Sequence, residues 1–169
     1  MILSNTSPII YLTKLGKLEL LKRLFKKIII PEEVYVEILK GKEKFADVIV
    51  IEEAIKKGWI KVKRSKREKE LERFSPELDI GEVALISLAR QKRQIKPQSL
   101  LLIDDASARA VAESFGFNVK GTIYVILKAY KEKLLNKKES KDMINKLVFL
   151  GFRISQEVYL DLIEELERS

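Results

Sequence analysis

The sequence has no cysteine and no histidine among its 169 residues. The absence of cysteine excludes disulfides, thiolate metal sites and cysteine nucleophiles. The absence of histidine removes the usual general base of serine hydrolases, the usual zinc ligand and the paired-histidine route to RNA cleavage. An enzyme built from this chain must therefore use carboxylates, lysine, tyrosine, hydroxyl groups or a metal held by oxygen atoms. Mg²⁺ and Mn²⁺ are the cations that suit oxygen ligands.

The sequence also lacks an apolar run long enough to cross a bilayer, and Met1 leads directly into an apolar stretch without a basic leader. These absences predict a cytoplasmic protein with no membrane partner. Lysine and glutamate dominate the charged residues while glutamine is scarce. This composition is the one expected of a protein from a heat-loving source, and it indicates habitat only.

The charge of the chain has a strong positive excess. Lysine and arginine outnumber aspartate and glutamate 33 to 25, which gives a net charge of +8. Such an excess attracts polyanions, nucleic acid foremost. The most charged stretch, residues 63–74, is either a solvated helix or a helix that faces phosphates. The whole chain is 46% hydrophobic and 34% charged. This composition and the length of the chain predict one globular domain over residues 1–169.

Short apolar runs alternate with helical patterns along the chain. We expect strands at residues 1–4, 28–30, 59–62, 100–103 and 117–119, with 59–62 at an edge and 100–103 central. We expect Ser7 to cap the first helix, with Pro8 at its first position. Two amphipathic helices within about residues 140–169 are predicted to pack on the domain. The alternation predicts a three-layer α/β/α fold with a central parallel sheet.

Polar side chains follow two of the predicted strands at the point where each strand ends. Asp104 and Asp105 come directly after residues 100–103, and Asn5 follows residues 1–4. Ligands of open parallel sheets sit at the carboxyl ends of the strands, so these side chains stand at the mouth of a site. A structural alternative is that one of the two aspartates caps the next helix.

Two glutamates lie at the borders of apolar helix faces. Glu37 adjoins the face that meets the sheet, and a structural alternative pairs it with Lys40 at the rim. Glu82 lies in the first turn of a helix that is apolar nearly all round, and a structural alternative makes it the partner of Asp79 in a capping box.

Together these five side chains form a set of oxygen ligands: Asn5, Glu37, Glu82, Asp104 and Asp105. Carboxylates crowded in one cleft raise one another's pKa, and a divalent cation relieves their repulsion. Two such ions, about 3.5–4 Å apart, can activate water and stabilise the leaving oxygen of a phosphodiester. A response-regulator receiver also carries an Asp-Asp pair after a strand, but here the pair comes too late in the chain for the remaining units of that fold.

The whole pattern resembles the PIN-domain family, and more closely its branch of prokaryotic VapC-type toxin relatives. The resemblance rests on ILSNTSPIIYL, IIIPEEVYVEI, LDIGEVALISLA, LLIDDASARAVAESFGFNVKGT and LGFRIS. It implies a parallel sheet flanked by helices and a Mg²⁺- or Mn²⁺-dependent ribonuclease, commonly a homodimer and often paired with a cognate antitoxin.

The resemblance also implies roles for individual residues. Glu37, Glu82 and Asp104 match the acidic metal ligands of the family, and Asp105 adjoins the last of them. Thr6 or Ser7 matches the hydroxyl position after the first acid. Asn5 stands where the family has an aspartate, so it offers a carbonyl oxygen without a charge.

These observations lead to a first hypothesis, an endoribonuclease of toxin type in which Thr6, Ser7, Arg109 and Thr122 contact the RNA. Arg109 has a structural alternative, a pair with Asp105 or Glu113 on its own helix. The uncharged Asn5 motivates a second hypothesis, a non-catalytic module that binds RNA or a protein. A third class is a purely structural interaction protein.

Overall fold

The computed structural model describes residues 1–41, 45–66, 68–73, 76–93 and 98–168. Five strands lie in these ranges: β1 (Ile2–Ser4), β2 (Ile28–Pro31), β3 (Ile60–Lys63), β4 (Leu100–Leu102) and β5 (Asn118–Lys120). The same ranges contain the helices α1 (Thr6–Lys14), α2 (Glu19–Phe25), α3 (Glu32–Lys40), α4 (Phe45–Lys56), α5 (Lys69–Glu72), α6 (Ile80–Arg93), α7 (Ala106–Ser114), α8 (Thr122–Lys131), α9 (Lys137–Phe149) and α10 (Gln156–Arg168).

The five strands form one parallel sheet in the order β3-β2-β1-β4-β5. Leu3 of β1 pairs with Ile29 on one side and with Leu101 on the other. The predicted α/β/α architecture with a central parallel sheet is therefore confirmed, and β3 lies at an edge as expected.

The central strand is β1, and the prediction that residues 100–103 are central is wrong. The chain builds the sheet outward from β1 to β3, then returns to place β4 on the other side of β1. A run of apolar residues predicts a strand covered on both faces, but it does not predict the order of strands. The order reverses between β1 and β4, which creates a crevice at the carboxyl ends of these two strands.

The core lies between the sheet and the helices beside it. Leu3, Leu101 and Ile103 have no exposed surface, and α6 is buried over most of its length, with Leu85 and Ile86 fully covered. Both faces of β1 and β4 are therefore out of water, which explains why their sequences are continuous apolar runs rather than alternating ones.

The first helix begins two residues earlier than its sequence predicts. Asn5 is the N-cap, and its Oδ1 accepts a hydrogen bond from the backbone N–H of Thr6 at 2.5 Å. Ser7, the predicted cap, lies inside the first turn. The reason is that Asn5 is still tied to the sheet, since its own N–H donates to the carbonyl of Leu102 at 3.0 Å, so the chain turns into the helix directly after it.

The strongly charged stretch is helical only over Lys69–Glu72 in the part that the structure describes. Some of its charges form ion pairs: Arg64 meets Glu32 at 3.0 Å, and Glu68 meets Arg90 at 2.8 Å. The basic residues in the range 92–98 predict a loop that leads to β4. Residues 92–93 instead belong to α6, and residues 94–97 lie outside the described residues.

The chain divides into two compact units, Met1–Thr122 and Ile123–Ser169. In the second unit α9 begins with a capping box, in which Asn136 and Glu139 each accept the other's backbone N–H. A hydrogen bond from Tyr159 to Asn145, 2.6 Å long, links α10 to α9. That residues 1–169 form one domain on which the C-terminal helices pack stays a prediction. None of the described helices combines the length and the apolar character that crossing a membrane requires.

Candidate active site

The crevice between β1 and β4 collects the polar side chains that follow these strands. Asn5 comes directly after β1, and Asp104 and Asp105 come two and three residues after the end of β4. Helices α1 and α7 begin at the same edge, so their unpaired N–H groups point toward it. This is the edge at which open parallel sheets bind ligands.

Asn5 joins the end of β1 to the first turn of α6. Its side chain is only 3% exposed, and its Nδ2 donates to Glu82 Oε1 at 3.2 Å. The other oxygen of Glu82 accepts the backbone N–H of Asp79 at 3.0 Å, and Asp79 Oδ1 accepts the N–H of Glu82 at 2.7 Å. The expected capping box is therefore present. It does not remove Glu82 from the site, because the same carboxylate faces Asn5.

Glu82 is 5% exposed, and burial is the main cause that raises its pKa from 4.5 to about 7. The N–H of Asp79 opposes this rise, while the negative charges of Asp79, Asp105 and Glu37 add to it. We call these four carboxylates, Glu37, Asp79, Glu82 and Asp105, the acidic group. Their mutual repulsion is what a bound cation relieves.

Glu37 is held by a hydroxyl group rather than by a lysine. Thr6 Oγ1 donates to Glu37 Oε2 at 2.5 Å, so the alternative pair with Lys40 is not the contact that this carboxylate makes. Burial raises the pKa of Glu37, the Thr6 hydrogen bond lowers it, and the charge of Asp79 raises it further.

Gly81 allows α6 to approach this carboxylate. A Cβ atom at position 81 would lie 3.0 Å from Glu37 Oε2 and 3.3 Å from Asp79 Oδ1. Asp79 thus belongs to the acidic group, although the sequence indicated only a capping role for it. Its position three residues before Glu82, at the start of an inward-facing helix, was the available signal.

Asp104 is engaged differently from the acidic group. Its Oδ1 accepts the backbone N–H of Thr122 at 2.7 Å, and its Oδ2 accepts the Thr122 hydroxyl at 2.6 Å. Burial raises the pKa of Asp104, whereas these two hydrogen bonds and the charge of Arg109 lower it. A Cβ atom at Gly121 would lie only 2.6 Å from Asp104 Oδ1, so this arrangement depends on glycine.

Asp105 is the aspartate that caps α7, because its Oδ1 accepts the N–H of Ala108 at 2.9 Å. The expectation that one member of the Asp-Asp pair caps this helix is therefore confirmed. Arg109 acts on Asp104, and within the described residues it forms no ion pair with Asp105 or Glu113.

The predicted substrate contacts fall into two groups. Thr6 and Ser7 are half-buried in the first turn of α1, at the edge that holds the acidic group, and Arg109 is also half-buried. Thr122, in contrast, has no exposed surface, and its hydroxyl is bonded to Asp104. In this structure the Thr122 side chain supports Asp104, and a contact between Thr122 and RNA stays a prediction.

A divalent cation fits this set of donors by its chemistry. The available atoms are the oxygens of Glu37, Glu82 and Asp105 and the amide oxygen of Asn5, and hard cations prefer such ligands. Burial is the main cause of the raised pKa of Glu82, and the charges of Asp79, Asp105 and Glu37 add to it. Among the described residues, however, no three Asp or Glu side chains are arranged to hold a metal ion. Binding therefore requires side-chain rotation, since hydrogen bonds now occupy several of these oxygens.

The fold and the acidic group define an α/β protein with a carboxylate site at the reversal point of a parallel sheet. A family model, DUF3368, described as a PIN domain, matches residues 1–168. The chain belongs to the PIN-domain family. PIN domains are generally nucleases that bind RNA, and they typically use divalent metal ions. No curated protein and no solved structure matches the chain.

Proposed function

We propose that the chain is a metal-dependent endoribonuclease related to the VapC-type toxins. One observation carries the proposal: Asn5, Glu37, Glu82 and Asp105 converge from different elements on the crevice where the strand order reverses. The net charge of +8 of the whole chain favours a polyanionic substrate.

In this proposal Glu37, Glu82 and Asp105 hold Mg²⁺ or Mn²⁺, together with the amide oxygen of Asn5. Asp104 is a further ligand, provided that it exchanges a hydrogen bond with Thr122 for the ion. When bound, the ion supplies positive charge against the phosphodiester and lowers the pKa of water.

The other residues orient these ligands and bind the substrate. The Thr6 hydroxyl donates to Glu37 Oε2, and the Asn5 amide donates to Glu82 Oε1, so these contacts keep both carboxylates at the edge of the sheet where the cation would bind. The backbone N–H of Ser7, in the first turn of α1, suits a phosphate oxygen. Arg109 adds a positive charge near Asp104 that a phosphate can share.

The test is cleavage of a structured-RNA panel with Mn²⁺, Mg²⁺ or EDTA. Glu82→Gln removes a charge at nearly constant volume and serves as the contamination control. Glu53→Gln is the matched control, because Glu53 is an exposed glutamate that pairs with Lys57 at 3.5 Å. We expect metal-dependent cleavage by the wild type and by Glu53→Gln, and a loss of roughly a hundredfold or more in Glu82→Gln. Cleavage in EDTA, or equal cleavage by Glu82→Gln, contradicts the proposal.

A second candidate function is a non-catalytic module that binds RNA. Asn5 favours it, because this residue removes one negative charge from the ligand set. Such a module binds RNA in EDTA, retains that binding in Glu82→Gln, and cleaves nothing with either metal. A gel-shift titration run beside the cleavage assay separates the two functions.

We extend the proposal to a cytoplasmic toxin component that forms a homodimer and binds a cognate antitoxin. The exposed apolar side chains of Val148 and Phe149, 44% and 90% exposed, support a protein partner. Light scattering of the purified chain tests the homodimer, and a monomer at micromolar concentration contradicts it.

A further inference from the structure

A groove of about 1090 Å³ lies between α3 and α6. Its apolar lining includes Val36, Ile80, Val83 and Ala84, and the side chains of Val36 and Ile80 are 42% and 70% exposed. The groove also reaches the acidic group, since Glu37 and Asp79 line it as well. A ligand in this groove therefore lies next to the proposed cleavage site.

Two polar atoms at the lining of the groove have no hydrogen-bond partner among the described residues. One is the hydroxyl oxygen of Ser87, a residue with no exposed surface, and the other is Glu33 Oε2. Buried polar groups are nearly always paired, and each unpaired one costs roughly 1–3 kcal/mol. A ligand with matching polar groups in the groove would remove this cost.

The acceptors favour a ligand that donates hydrogen bonds. Besides the free Oε2, Glu33 has an Oε1 that receives only a long hydrogen bond, 3.4 Å, from the Ser65 hydroxyl. Both carboxylate oxygens can therefore accept further hydrogen bonds, and a flat ligand with two adjacent N–H groups matches them once the buried Oε2 turns toward the groove. The inside of the groove does not suit a phosphate, because four carboxylates outnumber the lysine of its lining, Lys40. A nucleotide bound there must therefore keep its phosphate outside the groove. The four carboxylates are those of Glu32, Glu33, Glu37 and Asp79.

Guanine has the required chemistry. Its N1–H and N2–H₂ groups are adjacent donors on one edge, whereas adenine, cytosine and uracil each present a single donor group on that edge. Its ring faces suit apolar walls, and recognition of unstacked bases by their edges is common in RNA binding. The volume of the groove leaves room for the base and its ribose.

We propose that the groove between α3 and α6 is a guanine-binding subsite, in which Glu33 accepts from the base edge and Ser87 contacts the same base. This inference rests on the proposed function, since it makes the groove a specificity site for RNA. The base seated there belongs to a nucleotide adjacent to the phosphodiester at the acidic group.

The experiment measures binding of 5′-GMP, 5′-AMP, 5′-CMP and 5′-UMP to the full chain by calorimetry in EDTA. We expect GMP to bind at least about tenfold more tightly than the other three nucleotides. Glu33→Gln should weaken GMP binding about tenfold or more, because a charge-assisted hydrogen bond is lost. Ser87→Ala should weaken it less, and Glu53→Gln should leave it unchanged. Circular dichroism shows that each variant is folded.

Three results overturn the proposal. The first is equal affinity for all four nucleotides, and the second is a Glu33→Gln affinity equal to that of Glu53→Gln. The third is binding of the apolar dye ANS that GMP does not displace, which assigns the groove to an apolar protein segment. Because no metal and no cleavage are involved, these results leave the ribonuclease proposal standing. Conversely, GMP binding without metal-dependent cleavage contradicts the ribonuclease alone.

Discussion

Glu82→Gln should remove most of the pH dependence that the buried carboxyl of Glu82 gives to the free energy of unfolding. The pKa of Glu82 is about 7 in the folded chain, against 4.5 for an ordinary glutamate. The folded carboxyl therefore keeps its proton between pH 4.5 and 7, where the unfolded chain has lost it. Since the folded state binds more protons in this window, the free energy of unfolding falls as pH rises through it.

The size of this change in the free energy of unfolding follows from the shift in the pKa of Glu82. Each pKa unit corresponds to about 1.4 kcal/mol, so a rise from 4.5 to about 7 corresponds to at most about 3 kcal/mol. Most of this stability is present at pH 5 and absent at pH 8. Glutamine does not titrate, and it loses one of the two hydrogen bonds that Glu82 accepts, from Asn5 and Asp79. That loss costs about 1 kcal/mol at every pH.

The assay is thermal and urea unfolding of both proteins in EDTA at pH 5, 6, 7 and 8. Relative to the wild type, Glu82→Gln should gain about 2–3 kcal/mol between pH 5 and pH 8. For a chain of this size that is a relative gain of roughly 5–10 °C in Tm. Asp104 also has a raised pKa, but it titrates in both proteins and cancels in the difference. Glu37 cancels only in part, because its charge interacts with that of Glu82. A difference that stays constant with pH refutes the reasoning.

Three further changes test other parts of the structure. Gly121→Ala should destabilise the chain by about 1–3 kcal/mol in thermal unfolding, since the new Cβ displaces the Asp104 carboxylate. Adding Asp104→Ala should then cost little more, because the contact is already lost. Additive losses contradict this coupling. Asn5→Asp in EDTA at pH 8 should lower the free energy of unfolding by about 1–3 kcal/mol, because it places a second carboxylate against Glu82. Adding Mn²⁺ should restore this loss. If Mn²⁺ leaves the Tm of the variant unchanged, the result argues against the metal site. Asn136→Ala should cost about 1 kcal/mol in urea unfolding by removing the cap of α9, and an unchanged midpoint would show that this cap is not needed.

Much of the fold followed from local patterns in the sequence. Continuous apolar runs predicted the strands because a sheet covered on both faces needs no polar alternation, and the strand ends located Asn5, Asp104 and Asp105. The order of the strands did not follow, because it depends on which side of β1 the returning chain takes. Local propensity carries no information on that choice.

The roles of the two adjacent aspartates show a second limit of the sequence. Both Asp104 and Asp105 follow β4, and only their non-local neighbours separate their functions. Asp104 turns to Thr122, eighteen residues later, because Gly121 leaves room for its carboxylate. Asp105 caps α7 and adds its charge to the environment of Glu82. A pattern of residue types cannot assign these contacts, since either aspartate satisfies it.

Asn5 removes one negative charge from the site, and it also changes the interaction that Glu82 makes there. A carboxylate at this position has no proton to donate, so it would repel Glu82 where the Asn5 amide now donates to Oε1 at 3.2 Å. Glu82 already experiences three neighbouring negative charges and burial, which together outweigh the single backbone N–H that stabilises its ionised form. Asn5 thus lowers the repulsion that a cation must otherwise offset, while it retains an oxygen that can serve as a ligand. The exchange of aspartate for asparagine therefore favours a site that is stable without metal and binds metal more weakly. Comparing the metal affinity of the wild type with that of Asn5→Asp measures this difference.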